Sequence, residues 1–272
     1  MRGLDPQWLA ALRADGNQEP LRPRLPLLAG DAVIGSVEPD FLSQIELPPL
    51  SDGGKQLLKK EHAEGTVWQL RGEVGAGLRA LALALRDAGL AHTWRDEQLA
   101  VTDLEGRRVG TVERAVVRVL GIPTHAVHLV GQAEDGRFWV QQRAFDKAND
   151  PGLWDTLVGG MVSADCTPAS ALERETWEEA GLRLGDLKDI VRGGHLDIRR
   201  PCEDGSGAGY VIEHIDWYRC TVPAGQEPLN RDGEVASFAL IDGRELLLKM
   251  QQNEFTLEAA LIQAALLGQS SL

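Results

Sequence analysis

Apolar residues recur at helical spacing in some stretches of the chain and alternate in others, and the changes of period mark out its elements. Trp8, Leu9 and Leu12 fall on one side of a short helix over residues 5–14, which is expected to dock on the body of the chain. Leu78, Leu81, Ala82 and Leu85 give a core helix over 77–88, stopped by Gly89, and Leu257, Ala260, Leu261 and Ala264 place another at 256–267. The proline-rich segment 20–49 reads as short strands and turns, with strands at 25–28 and 32–37, and a polar break follows at 51–54. Residues 99–102 and 108–112 form a hairpin across Glu105 and Gly106, and 114–120 reads as helical up to Gly121. Beyond it, 125–132 and 137–143 alternate around Asp135 and Gly136, a strong hairpin signal. A second strand pair, 189–199 and 210–221, spans a glycine-rich loop, and 234–241 adds a further strand. Strands with helices on either side predict an α/β/α sandwich with a mixed sheet.

One more helix carries chemistry. Thr167 before Pro168 is an N-cap signal and Gly181 a left-handed stop, so the residues between form a helix. At about 100° per residue, Glu175, Glu178 and Glu179 share an exposed face, while Ala169, Leu172, Thr176 and Ala180 line the face that packs on the sheet. A charged helix face is commonly just solvated. Like charges three and four residues apart repel, however, and a divalent cation is their natural counter-charge. Hard oxygen ligands point to Mg2+ or Mn2+ rather than zinc.

The surrounding stretch, GGMVSADCTPASALERETWEEAGL from Gly159 to Leu182, sets a glycine pair before the helix, Arg174 directly before the carboxylates and Gly181 after them. On these residues it resembles the Nudix box, whose pattern is Gly, five residues, Glu, seven residues, then Arg-Glu-aliphatic-any-Glu-Glu-any-Gly-aliphatic. Gly160, Arg174, Glu175, Glu178, Glu179, Gly181 and Leu182 fall in register, with Thr176 in an aliphatic slot and Cys166 where the first Glu belongs. The resemblance implies a Nudix fold and metal-dependent hydrolysis of a diphosphate bond. Under it Glu178 and Glu179 would hold the metal, with the backbone carbonyl of Gly159 as a further ligand. Glu175 would complete the metal shell or take a proton from the attacking water, and Arg174 would fix the carboxylates by charge-assisted hydrogen bonds. Cys166 cannot supply hard oxygen, which leaves any extra ion at the first Glu position open. Either Asp165 compensates or Cys166 is simply a small buried residue.

From about Arg114 to Leu246 the stretches AVHLVG, KANDPGLWD, LVGG and NRDGEVASF are similar to the Nudix branch associated with fungal thiamine pyrophosphokinase, which has an accessory N-terminal domain. That similarity implies oxidised or otherwise damaged thiamine diphosphate as substrate, cut to the monophosphate, its ring packed among aromatic residues in a neutral, apolar pocket. ADP-ribose or nucleotide-sugar hydrolysis is the rival. An isopentenyl diphosphate isomerase is weaker, because no cysteine lies in the loop before the box. A non-catalytic module that senses a nucleotide or coenzyme stays open as well.

Composition then sets the outer bounds. With 272 residues, 43% hydrophobic and 25% charged, the chain is long enough for one large or two ordinary domains, and the resemblance implies an accessory α+β domain over 1–118 and a Nudix hydrolase domain over 119–272. A net charge of -13 argues against nucleic acid and anionic membranes as partners and leaves a small-molecule diphosphate. The oligomeric state is open, with a homodimer as one option. No apolar run reaches the length of a membrane span, and the first residues lack a signal-peptide core. Cys166, Cys202 and Cys220 show no ligand spacing, so a reducing, cytoplasmic setting is expected.

Other residues weigh less. His125 and His128, three apart on a strand, point to opposite faces and cannot share an ion, and neither they nor His195 and His214 receive a role. Arg143 and Lys147, just before the glycine pair, are candidates for a phosphate contact. Trp139, Trp154, Trp177 and Trp217 are packing residues of which one could stack a substrate ring. Glu234 enters the late strand and is a candidate catalytic carboxylate reaching the metal from the far side, against an equal reading as a solubilising charge.

Overall fold

The computed structural model describes residues 4–62 and 65–269. Helix α1 (Pro6–Asp15) is capped by Asp5, whose carboxylate accepts from the backbone of Gln7 and Trp8. Strands β1 (Leu25–Ala29), β2 (Ala32–Val37), β3 (Leu57–His62) and β4 (Gly65–Leu70) make a sheet of order β2-β1-β4-β3, with β1 parallel to β4. Helix α2 (Val74–Asp87) packs on this sheet and on the hairpin of β5 (Gln98–Thr102) and β6 (Arg108–Glu113). Leu27, Leu70, Leu78, Leu81, Leu85, Leu120 and Ile122 form the shared core.

Three local readings differ here. Glu73 caps α2 by accepting from Gly75 and Ala76, so the helix starts before the apolar run that announced it. Strand β3 is a lysine-bearing edge, and β4 buries four consecutive residues, so neither shows clean alternation. The expected helix at 114–120 is only a short 3-10 turn, Arg114–Val116, followed by turns. Val116, Val117 and Val119 are stiff β-branched residues, and the stretch is too short to offset helix nucleation.

The second body is built on β7 (Thr124–Ala133), β8 (Phe138–Arg143), β9 (Trp154–Asp155), β10 (Val158–Met161), β11 (Lys188–Cys202), β12 (Gly209–Val222) and β13 (Val235–Ile241). Their order is β11-β12-β7-β8-β13, with β10 along the first part of β7 and β9 on β8. The sheet is mixed, because β12 runs parallel to β7 and the other pairs are antiparallel. One face carries α3 (Pro168–Ala180) over Val127, Leu129, Leu157 and Val158. A helical turn, α4 (Asp204–Gly207), sits between β11 and β12, and α5 (Gly243–Gln251) and α6 (Leu257–Gln269) follow β13. These last two helices cover the opposite face over Val130, Val140, Ile215 and Trp217. Helix α5 buries little beyond Leu246 and Met250, too sparse a stripe to be legible. The result is an α/β/α sandwich with a mixed sheet, preceded by a smaller α+β region. Contacts cross between the two parts: α1 packs against α6, and Ala208 joins the first core. Among the described residues no helix is long and apolar enough to cross a membrane.

Candidate active site

Helix α3 starts and stops on its own sequence. Thr167 and Ser170 form a reciprocal capping box, Pro168 follows the cap, and Gly181 ends the helix at φ 63°. Thr176, the polar residue in an aliphatic slot, is fully buried and donates its hydroxyl to Leu172 O at 2.6 Å, which satisfies it inside the helix. Ala171 rather than Ala169 completes the packed face; Ala169 is exposed.

The three glutamates do not share an exposed face. Glu179 is 2% exposed, Glu175 is largely buried, and only Glu178 reaches solvent, at 43%. Glu179 accepts from Gly159 N at 2.9 Å and from Gln141 Nε2 at 3.0 Å, both neutral donors. Burial, reinforced by the charge of Glu175, pushes its pKa up to about 8. Burial also raises Glu175 to about 7, with Arg174 opposing and Glu178, Glu234 and Glu97 adding to the rise. Arg174 bridges the cluster, 2.8 Å from Glu175 and 3.0 Å from Glu178, and donates to Met161 O at 3.2 Å. Burial disfavours its charge, but the two glutamates more than compensate and its pKa rises.

Strand β10 explains the glycine pair. A Cβ on Gly160 would overlap the carboxyl of Glu175, and one on Gly159 would meet the His128 ring at 2.6 Å. The two residues alternate across the sheet, so the main chain lies against the carboxylates on one side and against a buried histidine on the other. His128 bonds Thr156 Oγ1 at 2.9 Å, and burial lowers its pKa. An oxygen-only donor set, two carboxylates held toward neutrality mainly by burial, and a backbone with no side chain in the way fit a hard divalent cation.

Glu234 stands at the mouth of this cluster, paired with Lys147, which holds its pKa below the ordinary carboxylate range despite burial. Lys147 thus meets a carboxylate, and Arg143 is likewise tied internally: it donates to Asn149 O, Asp150 O and Asp155 Oδ2 at 3.1–3.3 Å, fixing the loop between β8 and β9. Cys166 is half-exposed rather than buried, its pKa lowered mainly by a hydrogen bond with Ser163 and also by Arg174. Sequence reasoning missed the contribution from the first part of the chain. Arg114 pairs with Glu97 at 2.7 Å, and Arg114 and Arg95 both act on Glu234. The only signal in sequence was the charge of Arg114 ahead of the apolar run 115–117, and Arg95, in the polar run 92–98, gave none.

A cleft of about 710 Å³ opens beside Gly159, Gly160 and Met161, on the His128 side of β10. None of the three glutamates lines it. Its walls bring His92, Arg114 and Arg118 from the first part of the chain to Arg143, Arg200 and Glu213 of the second. It is not the neutral, aromatic pocket expected. Trp139, Trp154, Trp177 and Trp217 all lie elsewhere: Trp217 is buried, Trp139 packs on the core under α3, Trp177 sits under Arg183 and Arg231, and Trp154 under Lys249.

The profile of the NUDIX domain matches residues 123–261, just over half of the chain, and spans β7, the glycine pair, α3 and Glu234. The chain belongs to the NUDIX family. Among curated relatives, Nudix hydrolase 20 of Arabidopsis thaliana is 29% identical over 151 residues, covering 53% of this chain and 38% of its own. An uncharacterised protein of Saccharomyces cerevisiae is 25% identical over 185 residues, covering 62% of this chain and 53% of its own. The NUDIX chain therefore spans about half or less of the length of these relatives. An isopentenyl-diphosphate Delta-isomerase of Corynebacterium efficiens is 31% identical over 131 residues, covering 48% of this chain and 65% of its own. Among solved structures, the crystal structure of DR0079 from Deinococcus radiodurans superposes with a TM-score of 0.49 at 18% identity, covering 62% of this chain and 99% of that one.

Proposed function

We propose that this NUDIX protein is a metal-dependent hydrolase of a diphosphate bond. The observation that carries the reading is the burial of Glu175 and Glu179 with too little positive charge around them, directly against a glycine backbone. Glu175, Glu178 and Glu179, with the Gly159 carbonyl, would hold Mg2+ or Mn2+. When bound, the ion supplies positive charge that offsets the charge building on the bridging oxygen. The protein supplies the rest. Arg174 locks Glu175 and Glu178 in place, so the cluster keeps its shape as charge changes. Glu175, placed beside the cluster, is one candidate base in the alternative where it stays outside the metal shell, and Glu234, kept ionised by Lys147, is the second. Lys147, held beside Glu234, would add positive charge next to a substrate phosphate, and Arg143 acts on the substrate through the loop it holds.

The charged cleft beside the glycine pair suits the polar, hydrogen-bonding nucleoside or sugar portion of a substrate such as ADP-ribose or a nucleotide sugar. The KANDPGLWD stretch keeps oxidised thiamine diphosphate as a second reading. The isomerase reading lacks a thiol ahead of the glycine pair, since the cysteines are Cys166, Cys202 and Cys220. Incubation with magnesium and ADP-ribose, a nucleotide sugar, a nucleoside triphosphate, thiamine diphosphate and its oxidised forms, with products identified by mass, tests all of these. Glu178→Gln and Glu179→Gln are expected to stay folded and to lose turnover about 10²- to 10⁴-fold. Tight binding of one compound without turnover in the unaltered protein would make the chain a sensing module instead.

A further inference from the structure

On the sheet face that carries α3, but beyond the helix's reach, β11, β12 and β7 bring together residues that the hydrolase reading does not use. Asp197 lies opposite His214, and His195 opposite Asp216, in the antiparallel β11–β12 pair. His125 sits beside His214 in the parallel β12–β7 pair, the ring centroids 5.2 Å apart. Period-two alternation sends all five side chains to the same face. His195 Nε2 is 3.0 Å and His214 Nδ1 2.5 Å from the same oxygen, Asp197 Oδ1. His195 Nδ1 is 3.2 Å from Asp216 Oδ1, which also accepts from Arg192 at 2.5 Å.

We propose that His195, Asp197 and His214 form a second metal site, selective for a zinc-class transition ion and separate from the glutamate cluster. Their ligating atoms all lie within 4.8 Å of one another. Tetrahedral zinc with bonds of about 2.0–2.1 Å brings its ligands to about 3.3 Å apart, so small side-chain rotations complete the set. Two imidazoles and one carboxylate are softer than the all-oxygen cluster on α3 and favour zinc over magnesium. Asp216 bonds the far nitrogen of His195, the position from which a carboxylate orients a metal-binding histidine. The His125 ring, 5.2 Å from that of His214, forms a wall of the site. The exposed side leaves room for water, and a bound ion would staple β11 to β12 along an edge of the sheet.

The test is a zinc titration of the full chain in excess magnesium, followed by calorimetry and thermal melting, beside the His195→Gln/His214→Gln variant. Zinc at the glutamate cluster is common to both proteins and cancels in the difference. The unaltered protein is expected to take up one zinc ion more and to melt higher when it is bound, and Asp216→Asn to weaken that site about 10- to 100-fold. In the unaltered protein cobalt should perturb the ring resonances of His195 and His214 first, with exposed His62 as a bystander, a readout independent of any variant's folding. Equal zinc uptake in both proteins, or parallel perturbation of His62, would overturn the site.

Discussion

At Glu179 a carboxylate is buried against neutral donors, and this shapes the pH behaviour of the metal-free protein. The pKa values of Glu175 and Glu179, about 7 and about 8, lie above the ordinary value of 4.5. The folded state therefore holds these protons more tightly than the unfolded chain. Their stabilising contribution is complete below about pH 4.5 and is lost as pH rises through 7 and 8, by at most about 1.4 kcal/mol per pH unit for each group. In chelator, the melting temperature is expected to fall between about pH 5 and pH 8, and magnesium to reverse the fall. Glu179→Gln should flatten the profile, and an unchanged slope in that variant would remove Glu179 as its source. Gly160→Ala is expected to abolish turnover, because the new methyl group occupies the place of the Glu175 carboxyl; circular dichroism separates that from unfolding.

At the scale of elements, α3 is positioned by its ends. Thr167→Ala removes the capping box and is expected to cost about 1 kcal/mol of stability, read by chemical denaturation, with the metal affinity little changed. The bounds of this helix and the positions of its carboxylates were legible because the cap, the stop and the glutamate spacing are local and periodic. What its period misstated was exposure. Three carboxylates within about 100° look like a solvated face, yet β10 and Gln141 of β8 close over Glu179 from residues 20 and 38 positions away. Strands β3 and β4 were missed for the same kind of reason, since an edge strand and a strand buried on both faces each lose alternation.

Across the whole molecule, the first part of the chain reaches the site of the second. Arg114 pairs with Glu97, lines the cleft and acts on Glu234. Arg114→Ala is expected to raise KM about tenfold, as for loss of a charged hydrogen bond, while the melting temperature moves little. An unchanged KM would confine the substrate to the second body. The same convergence replaces the neutral aromatic pocket with a charged cleft and leaves the four tryptophans of interest as packing residues.

The sequence by itself determined the order of most elements, the run of carboxylates on α3 and the family, because caps, stops, period and motif spacing are all local properties of the chain. Only the tertiary structure decided which carboxylates are buried, what faces Lys147 and Arg143, and how Arg114 and the strand-face histidines meet their neighbours. Those outcomes depend on pairs brought together across the sheet and between its layers, such as Asp197 with His214 and Lys147 with Glu234, which lie 17 and 87 residues apart along the chain. Spacing in sequence carries no information about contacts at that range.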